Sequence, residues 1–280
     1  MMRILNVFVL VLLSTFLFTY YDVRSQKEEE ALRDSEIIES ILTDSFDETE
    51  KVLVTMGYEI SNNNPSLNLA AIHKVFLQTS QVKNDINTFP WTMFDWVDID
   101  GYQRVNTILG VRANPPQIAR YRNYRNPANS LWEIIFSEPA IGEPSKLYVI
   151  PVGVQISTPN HPQAGTITSS INVKKLLNKI SLRIDKSSRF VMIDKRSETV
   201  VMSSKKADGV KVGAVYSNEY ESGIDDVYVV TKEMDSKYPY IIEFGYSTAD
   251  FWKIVKRSSI KLAFQILMVV VAAGVLLRKK

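Results

Sequence analysis

The sequence predicts an α+β fold, in which two antiparallel sheet modules rest on a long N-terminal helix and a transmembrane helix lies at each end. Two apolar stretches of membrane-spanning length stand near the chain ends. The first is followed by a charged segment whose apolar residues recur every three or four positions, as in an amphipathic helix. A strand, an Asp-containing turn and a second strand then occur twice, at 92–109 and at 190–203.

The first apolar stretch, 4–21, contains no charged residue. As a helix its eighteen residues, at about 1.5 Å each, reach about 27 Å, which is close to the thickness of a hydrocarbon core. A cleaved signal peptide is the alternative, but large aromatic residues stand where a small-x-small cleavage site is expected. Tyr20 and Tyr21 fit the aromatic belt of a retained anchor.

The second predicted span, 260–277, is followed directly by Arg278, Lys279 and Lys280. Basic residues after an apolar helix are typical of an end that stays in the cytoplasm, as is Arg3 before the first span. A buried core helix is the alternative for this stretch. With both ends inside, we expect a two-pass protein of a bacterial inner membrane whose main domain is periplasmic.

Composition excludes several classes of function. The net charge of +2 becomes −2 without the four basic residues expected in the cytoplasm, so the main domain is nearly neutral and no nucleic acid is expected. The absence of Cys excludes disulfides and thiolate chemistry. With two histidines, and without a nucleophile elbow, P-loop or dinucleotide motif, we expect no catalytic residue, no metal ion and no cofactor.

The chain order supplies the remaining elements. A long helix at 22–60 ends at Asn62 to Pro65, and Ser66 or Asn68 caps a shorter helix through about Thr79. Two strands, 92–97 and 102–109, follow and are joined by a turn, and a short helix is expected at 118–124. Three more strands are expected at 131–136, 146–155 and 165–171. A loop at 157–164 separates the last two, and a helix at 173–180 follows them. A second series of strands covers 190–193, 199–203, 227–233 and 240–246, before a final helix from Ala249.

Several short motifs stand in this order: Trp96 to Gly101 (WVDIDG), Arg120-Tyr121, the strand 147–152, the run 165–171 before Leu176, and the hairpin residues 190–194 and 200–203. The order resembles double Cache domains, the PAS-like extracytoplasmic sensors of bacterial histidine kinases and chemoreceptors. The resemblance divides the chain into a transmembrane helix (4–21), a long periplasmic helix (22–60), a membrane-distal Cache-like module (61–184), a membrane-proximal Cache-like module (185–257) and a second transmembrane helix (260–277).

The resemblance implies a ligand pocket in the distal module, with Arg120 and Tyr121 at its centre. An Arg fork binds a carboxylate in bidentate fashion, and aromatic side chains supply walls and hydroxyl donors. The candidate ligand-binding residues are Arg120, Tyr121, Tyr124, Trp132 and Tyr148. The alternative is an exposed basic loop whose arginines pair with nearby acids, and aromatic residues that belong to the core. Residues 148–155 contain no acid to hold a ligand amine, which argues against amino-acid recognition.

These patterns predict a sensor that binds a small solute, such as a carboxylate, and signals through its transmembrane helices. Family members of the kinase and receptor type continue into a HAMP linker and an output domain. We therefore expect the sensor half of a truncated or split histidine kinase, working as a homodimer with a separate cytoplasmic signalling protein. A membrane-tethered scaffold protein without a ligand is the alternative function, indicated by the long charged helix.

Overall fold

One helix, α1 (Met2–Asn63), contacts both sheets of the protein. The computed structural model describes residues 2–64, 66–84, 91–118, 131–142, 146–184, 188–204, 211–216 and 226–278. The predicted segments 4–21 and 22–60 therefore form a single helix, as expected from a stretch without Pro. A second helix, α2 (Leu69–Asn84), begins after Asn68, whose side chain accepts hydrogen bonds from the backbone N–H groups of Ala70 and Ala71.

A large antiparallel sheet follows, and its strand order is β3-β2-β1-β7-β6-β4, with β5 also paired to β6. The strands are β1 (Trp91–Val97), β2 (Gln103–Asn106), β3 (Gly110–Val111), β4 (Ile134–Phe136), β5 (Ala140–Ile141), β6 (Tyr148–Thr158) and β7 (His161–Asn172).

The predicted hairpin around Asp98 is confirmed as β1 and β2. Asp98 Oδ1 accepts hydrogen bonds from the backbone N–H groups of Asp100 and Tyr102, at 3.0 and 2.9 Å. Gly101 has a φ of +85°, which a glycine adopts without steric cost. The short helix expected at 118–124 falls mostly on residues outside the described part of the chain.

The loop expected at 157–164 is wrong. Strands β6 and β7 continue through this stretch and pair as far as Thr158 and His161, so that only two residues form the turn. The polar sequence did not indicate these strand ends, because the hairpin lies at the end of the sheet, where side chains such as His161 are exposed to solvent.

The small sheet has the order β10-β11-β8-β9, all antiparallel. Its strands are β8 (Ser188–Asp194), β9 (Thr199–Ser203), β10 (Asp226–Glu233) and β11 (Tyr240–Ser247). Helix α3 (Val173–Ser181), capped by Asn172, precedes this sheet, and helix α4 (Thr248–Arg278) leaves it.

The main core lies between α1 and one face of each sheet. Buried apolar residues of α1, among them Ile38, Leu42, Phe46, Leu53 and Met56, share one cluster with side chains from both sheets. Phe46 stands at the meeting point, since its ring contacts Phe136 of the large sheet and Tyr240 of the small sheet. The helix thus joins the two sheets through one continuous apolar contact.

Helices α1 and α4 pack side by side at the other end of the molecule. Val23, Phe251 and Val255 form a small buried cluster there, and the ring of Tyr20 packs edge to face against Phe251. Across the described stretches of the chain, we find no helix with the combination of length and apolarity that crossing a membrane requires.

Candidate functional site

The large sheet has two faces of different chemistry. On β1, Phe94 and Trp96 point to the core cluster with α1, and alternation along the strand turns Asp95 to the opposite face. The neighbouring strands place polar residues on the same face as Asp95, because Asp95 pairs with Asn106 of β2 and with Thr168 of β7.

We call the side away from α1 the polar face. It is defined by residues that share burial, with at most 8% of each exposed, and a polar side chain: Asp95, Gln103, Asn106, Gln155, Thr166, Thr168 and Ser170. Buried polar groups require partners, and a sheet whose two faces are both covered normally carries apolar residues on each. The polar face therefore contains more buried polar side chains than packing alone requires.

Asp95 is the charged residue of the polar face. Its Oδ1 accepts a hydrogen bond from Asn106 Nδ2, and the Asn106 amide is held in place because its Oδ1 accepts from the backbone N–H groups of Ile108 and Leu109, at 2.8 and 2.9 Å. Arg112 Nη1 donates to Gln103 Oε1 at 2.6 Å, beside the carboxyl group. Strands β1, β2 and β7 thus hold a carboxyl group among neutral amides and a hydroxyl, with Arg112 nearby.

Burial raises the pKa of Asp95 to about 7, while hydrogen bonds from Asn106, Gln103 and Thr168 and the charge of Arg112 act in the opposite direction. The carboxyl group therefore exchanges its proton near neutral pH. Perturbed carboxyl groups of this kind concentrate at functional sites.

Thr166 adds an unused hydroxyl group to the polar face. It is fully buried on β7, opposite Gln155, and among the described residues its Oγ1 has no hydrogen-bond partner. A buried hydroxyl without a partner costs about 1–3 kcal/mol, so a ligand atom in reach of this group gains a ready partner.

The candidate ligand residues predicted from the sequence are not brought together among the described residues. Arg120, Tyr121 and Tyr124 lie outside them. Tyr148 begins β6 and packs toward the small sheet, where its hydroxyl is 3.5 Å from Val200 O, and burial raises its pKa. It packs, partly buried, against the main core, and its role as a ligand wall stays a prediction.

Trp132 lies on the α1 side of the large sheet. Its indole stacks on Tyr58 with ring centroids 4.5 Å apart, over Gly57, where any Cβ would come within 2.8 Å of the indole. Trp132 also has a φ of +70°, which is strained for a residue with a side chain. The role of Trp132 as a ligand wall stays a prediction, and its observed contacts are with α1.

Sequence reasoning missed Asp95, although its signal was present. It stands between Phe94 and Trp96 in a largely apolar strand, at the position that alternation assigns to the second face. Asp98, three residues further along the chain, shapes the turn instead.

The described residues contain no group of three or more His, Cys, Asp or Glu side chains suited to a metal ion. No family model matches the sequence, and the search of curated proteins returned no match.

Solved structures are similar to this chain at the level of the fold. The sensory domain of the Campylobacter jejuni chemoreceptor Tlp3, with isoleucine bound, has a TM-score of 0.58 at 11% identity, covering 85% of this chain and 98% of that one. The extracellular domain of the putative histidine kinase rpHK1S-Z16 has a TM-score of 0.60 at 12% identity, covering 81% and 96%. The ligand-binding domain of the Pseudomonas fluorescens chemoreceptor CtaA, in complex with L-leucine, has a TM-score of 0.58 at 14% identity, covering 83% and 97%.

These neighbours are described as sensory, extracellular or ligand-binding domains rather than as catalytic ones. The resemblance to Cache-like sensors that the order of elements predicts is thereby confirmed for the fold. The chain has the α+β fold of the sensory domains of chemoreceptors and histidine kinases, with a long N-terminal helix and two antiparallel sheets.

Proposed function

We propose that this protein is an extracytoplasmic sensor module that binds a small solute on the polar face of the large sheet. The observation that carries the proposal is a buried network that includes the carboxyl group of Asp95 and the hydroxyl of Thr166, which has no hydrogen-bond partner among the described residues. A protein of this fold gains little stability from such groups, whereas a solute with hydrogen-bonding atoms gains orientation from them. Isoleucine, bound by Tlp3, and L-leucine, bound by CtaA, are small solutes with hydrogen-bonding atoms.

Arg120, Tyr121 and Tyr124 complete the site in this proposal. Support comes from the two ends of the segment that contains them. Ile118 N–H donates to Gly101 O at 2.9 Å, and Trp132 N–H donates to Gln155 O at 3.0 Å. Both anchors lie at the end of the sheet where Val97, Thr166 and Gln155 pair in one row. The described residues on both sides of the segment are therefore held at this end of the large sheet.

The proposal includes two membrane spans, 4–21 and 260–277, that hold the sensor on the periplasmic side of a bacterial inner membrane. Contiguous exposed apolar surface marks membrane or protein contact sites. Helix α1 exposes such side chains at Leu10, Leu13, Leu17 and Phe18, and α4 does so at Ile260, Phe264, Met268 and Val269. Solute binding would then shift α4 relative to α1, in a homodimer that acts on a cytoplasmic signalling protein.

Membrane anchoring predicts that the full chain stays in the membrane pellet after an alkaline carbonate wash. A protein held only by charge or by protein contacts is released under these conditions. The matched control is a chain that starts at residue 24 and ends at 256, which should appear in the supernatant. Recovery of the full chain in the supernatant contradicts the anchoring.

Solute binding predicts a rise in thermal stability of the full chain in detergent when a ligand is added. A ligand at about 100 times its Kd adds about 2.7 kcal/mol to the free energy of unfolding. The screen should contain amino acids, carboxylates and amines, and the measurement is the midpoint of thermal unfolding for each solute.

The matched variant is Thr166→Val, which removes the hydroxyl group at nearly constant shape. We expect it to keep the stability of the free protein and to lose much of the ligand response, whereas Thr55→Val on the exposed side of α1 should leave both unchanged. A blank across the whole screen, with a stable complex to another protein that no solute alters, favours the scaffold function instead.

A further inference from the structure

Four exposed basic side chains lie on α4, close to the point where this helix leaves the small sheet. They are Lys253, Lys256, Arg257 and Lys261, and we call them the basic strip. Residues 251–280 contain neither Asp nor Glu. No ion pair between described residues involves a member of the basic strip. Helix α4 therefore carries positive charge that its own sequence does not neutralise.

The basic strip faces away from α1. Phe251 and Val255 bury their side chains in a cluster with Val23 of α1. Lys253 and Arg257 each follow one of these buried residues by two positions, which is about 200° around a helix of 3.6 residues per turn. The basic strip therefore lies on the side of α4 opposite to α1.

The basic residues of α1 that follow Val23 are neutralised within α1. Arg24 Nε lies 2.8 Å from Glu28 Oε1, and Lys27 Nζ lies 2.5 Å from Glu30 Oε2. In the basic strip, by contrast, three members follow one another every four residues, and like charges at this spacing destabilise a helix. An anionic partner from outside the chain would remove this repulsion.

Contacts between the two helices show at which level the basic strip lies. The ring of Trp252 stacks on that of Phe16 with centroids 6.4 Å apart, and it lies 5.7 Å from the ring of Tyr20. Helix α1 runs toward the sheets and α4 runs away from them, so later residues of α4 lie beside earlier residues of α1. The basic strip is therefore level with the first proposed span, 4–21, where Leu13 and Leu17 are exposed.

Cations beside exposed apolar side chains fit the surface of a lipid bilayer. Lys and Arg keep their aliphatic stems on apolar surface and extend the charge to the headgroup layer, where phospholipids carry phosphate. Basic clusters next to a membrane segment are typical of binding to acidic lipids, with about a fivefold gain for each basic side chain. Orientation does not account for the basic strip, because basic residues favour the cytoplasmic side.

We propose that the basic strip binds the phosphate groups of anionic phospholipids in the extracytoplasmic leaflet, so that the headgroup layer is a partner of α4. The inference rests on the membrane anchoring in the proposed function and adds the chemistry of the surface that the protein contacts. Because solute binding is proposed to shift α4, this contact fixes the depth from which α4 moves.

The test uses the full chain in vesicles of equimolar phosphatidylcholine and phosphatidylglycerol, in which one lipid or the other carries brominated acyl chains. Bromine quenches tryptophan by contact, and Trp252 lies on α4, 45% exposed. Trp252→Phe gives the quenching of the remaining tryptophans, which is subtracted. We expect phosphatidylglycerol to be preferred about fivefold or more around Trp252 at about 0.1 M salt. Most of the preference should disappear at about 1 M salt, where the screening length falls from about 10 Å to about 3 Å.

The matched variants remove equal charge at different places. Replacing every member of the basic strip by Gln should leave no preference between the two lipids. Replacing Lys51, Lys74, Lys174 and Lys175 by Gln removes four exposed cations from other helices and should leave the preference as in wild type. Equal loss of preference in the two variants means that net charge alone attracts the lipid, which overturns the inference.

The remaining outcomes separate this inference from the proposed anchoring. If both lipids quench Trp252 equally in wild type at low salt, the anchoring is supported and the headgroup contact is overturned. If neither lipid quenches Trp252, the anchoring fails together with the inference. If inorganic phosphate removes the preference while chloride at the same ionic strength does not, the basic strip binds free phosphate and the lipid surface is not its partner.

Discussion

Replacing Phe46 by Ala is expected to lower the free energy of unfolding by about 4 kcal/mol, within the range measured when a buried Phe is truncated. Phe46 is fully buried on α1. Its ring centroid lies 5.0 Å from that of Phe136 in the large sheet, and 5.2 and 5.6 Å from those of Tyr238 and Tyr240 beside and within the small sheet. The cavity would therefore open where α1, the large sheet and the small sheet meet. A movement of one of these elements alone cannot fill it.

The measurement is urea unfolding of the full chain, followed by tryptophan fluorescence and far-ultraviolet circular dichroism. Trp91, Trp96 and Trp132 report on the large sheet and its contact with α1, and Trp252 reports on α4, whereas circular dichroism reports on all elements. Coincident transitions in wild type that separate in Phe46→Ala would show that this side chain couples the two sheets. Leu32→Ala, on the same helix but 48% exposed, should cost well under 1 kcal/mol. Equal costs for the two variants would contradict the central role of Phe46.

The sequence predicts those parts of the fold in which local chemistry decides the outcome. The turn at Asp98 to Gly101 follows from its Asp side chain and its Gly, and both bordering strands appear. Helix α2 follows from the capping side chain of Asn68. At the β6–β7 turn, by contrast, pairing between two long strands overrides a polar local sequence, and neither strand alone contains that information.

The candidate site is harder to predict, because it depends on what covers each face of a sheet. Alternation places Asp95 opposite Phe94 and Trp96, which normally indicates an exposed acid. In the structure both faces of the large sheet are buried at this point, so Asp95 is a buried acid and its pKa is raised. The positions of Trp132 and Tyr148 are equally hard to predict. Trp132 packs on α1 and Tyr148 lies beside the small sheet, and both contacts are with segments that are distant in the sequence.

Arg196→Ala should destabilise the protein by about 2–3 kcal/mol, because it leaves the carboxylate of Asp194 buried without its cation. Asp194 is fully buried, and its oxygens accept from Arg196 Nη2 at 2.6 Å and from Arg196 Nε at 3.1 Å. Solvent reaches Arg196, whose side chain is 39% exposed, so the cost stays below that of a fully buried pair.

The same arginine joins the two sheets by a polar contact. Its Nη1 donates to the backbone oxygen of Phe136, at the end of β4 in the large sheet, while Asp194 ends β8 in the small sheet. If solute binding on the large sheet is transmitted to the small sheet, this contact and Phe46 lie on the route. Arg196→Lys keeps the charge but cannot form the fork to Asp194 and Phe136 together, so it should recover only part of the lost stability.

A double-mutant cycle separates the lost ion pair from the lost link. Asp194→Asn combined with Arg196→Ala removes the buried charge, so the double variant should be more stable than Arg196→Ala alone. Hydrogen exchange of β8 and β9, measured with and without a bound solute, then tests transmission. Protection that still rises in the double variant as in wild type would mean that the signal passes through the apolar contacts of Phe46, and that Arg196 serves stability alone.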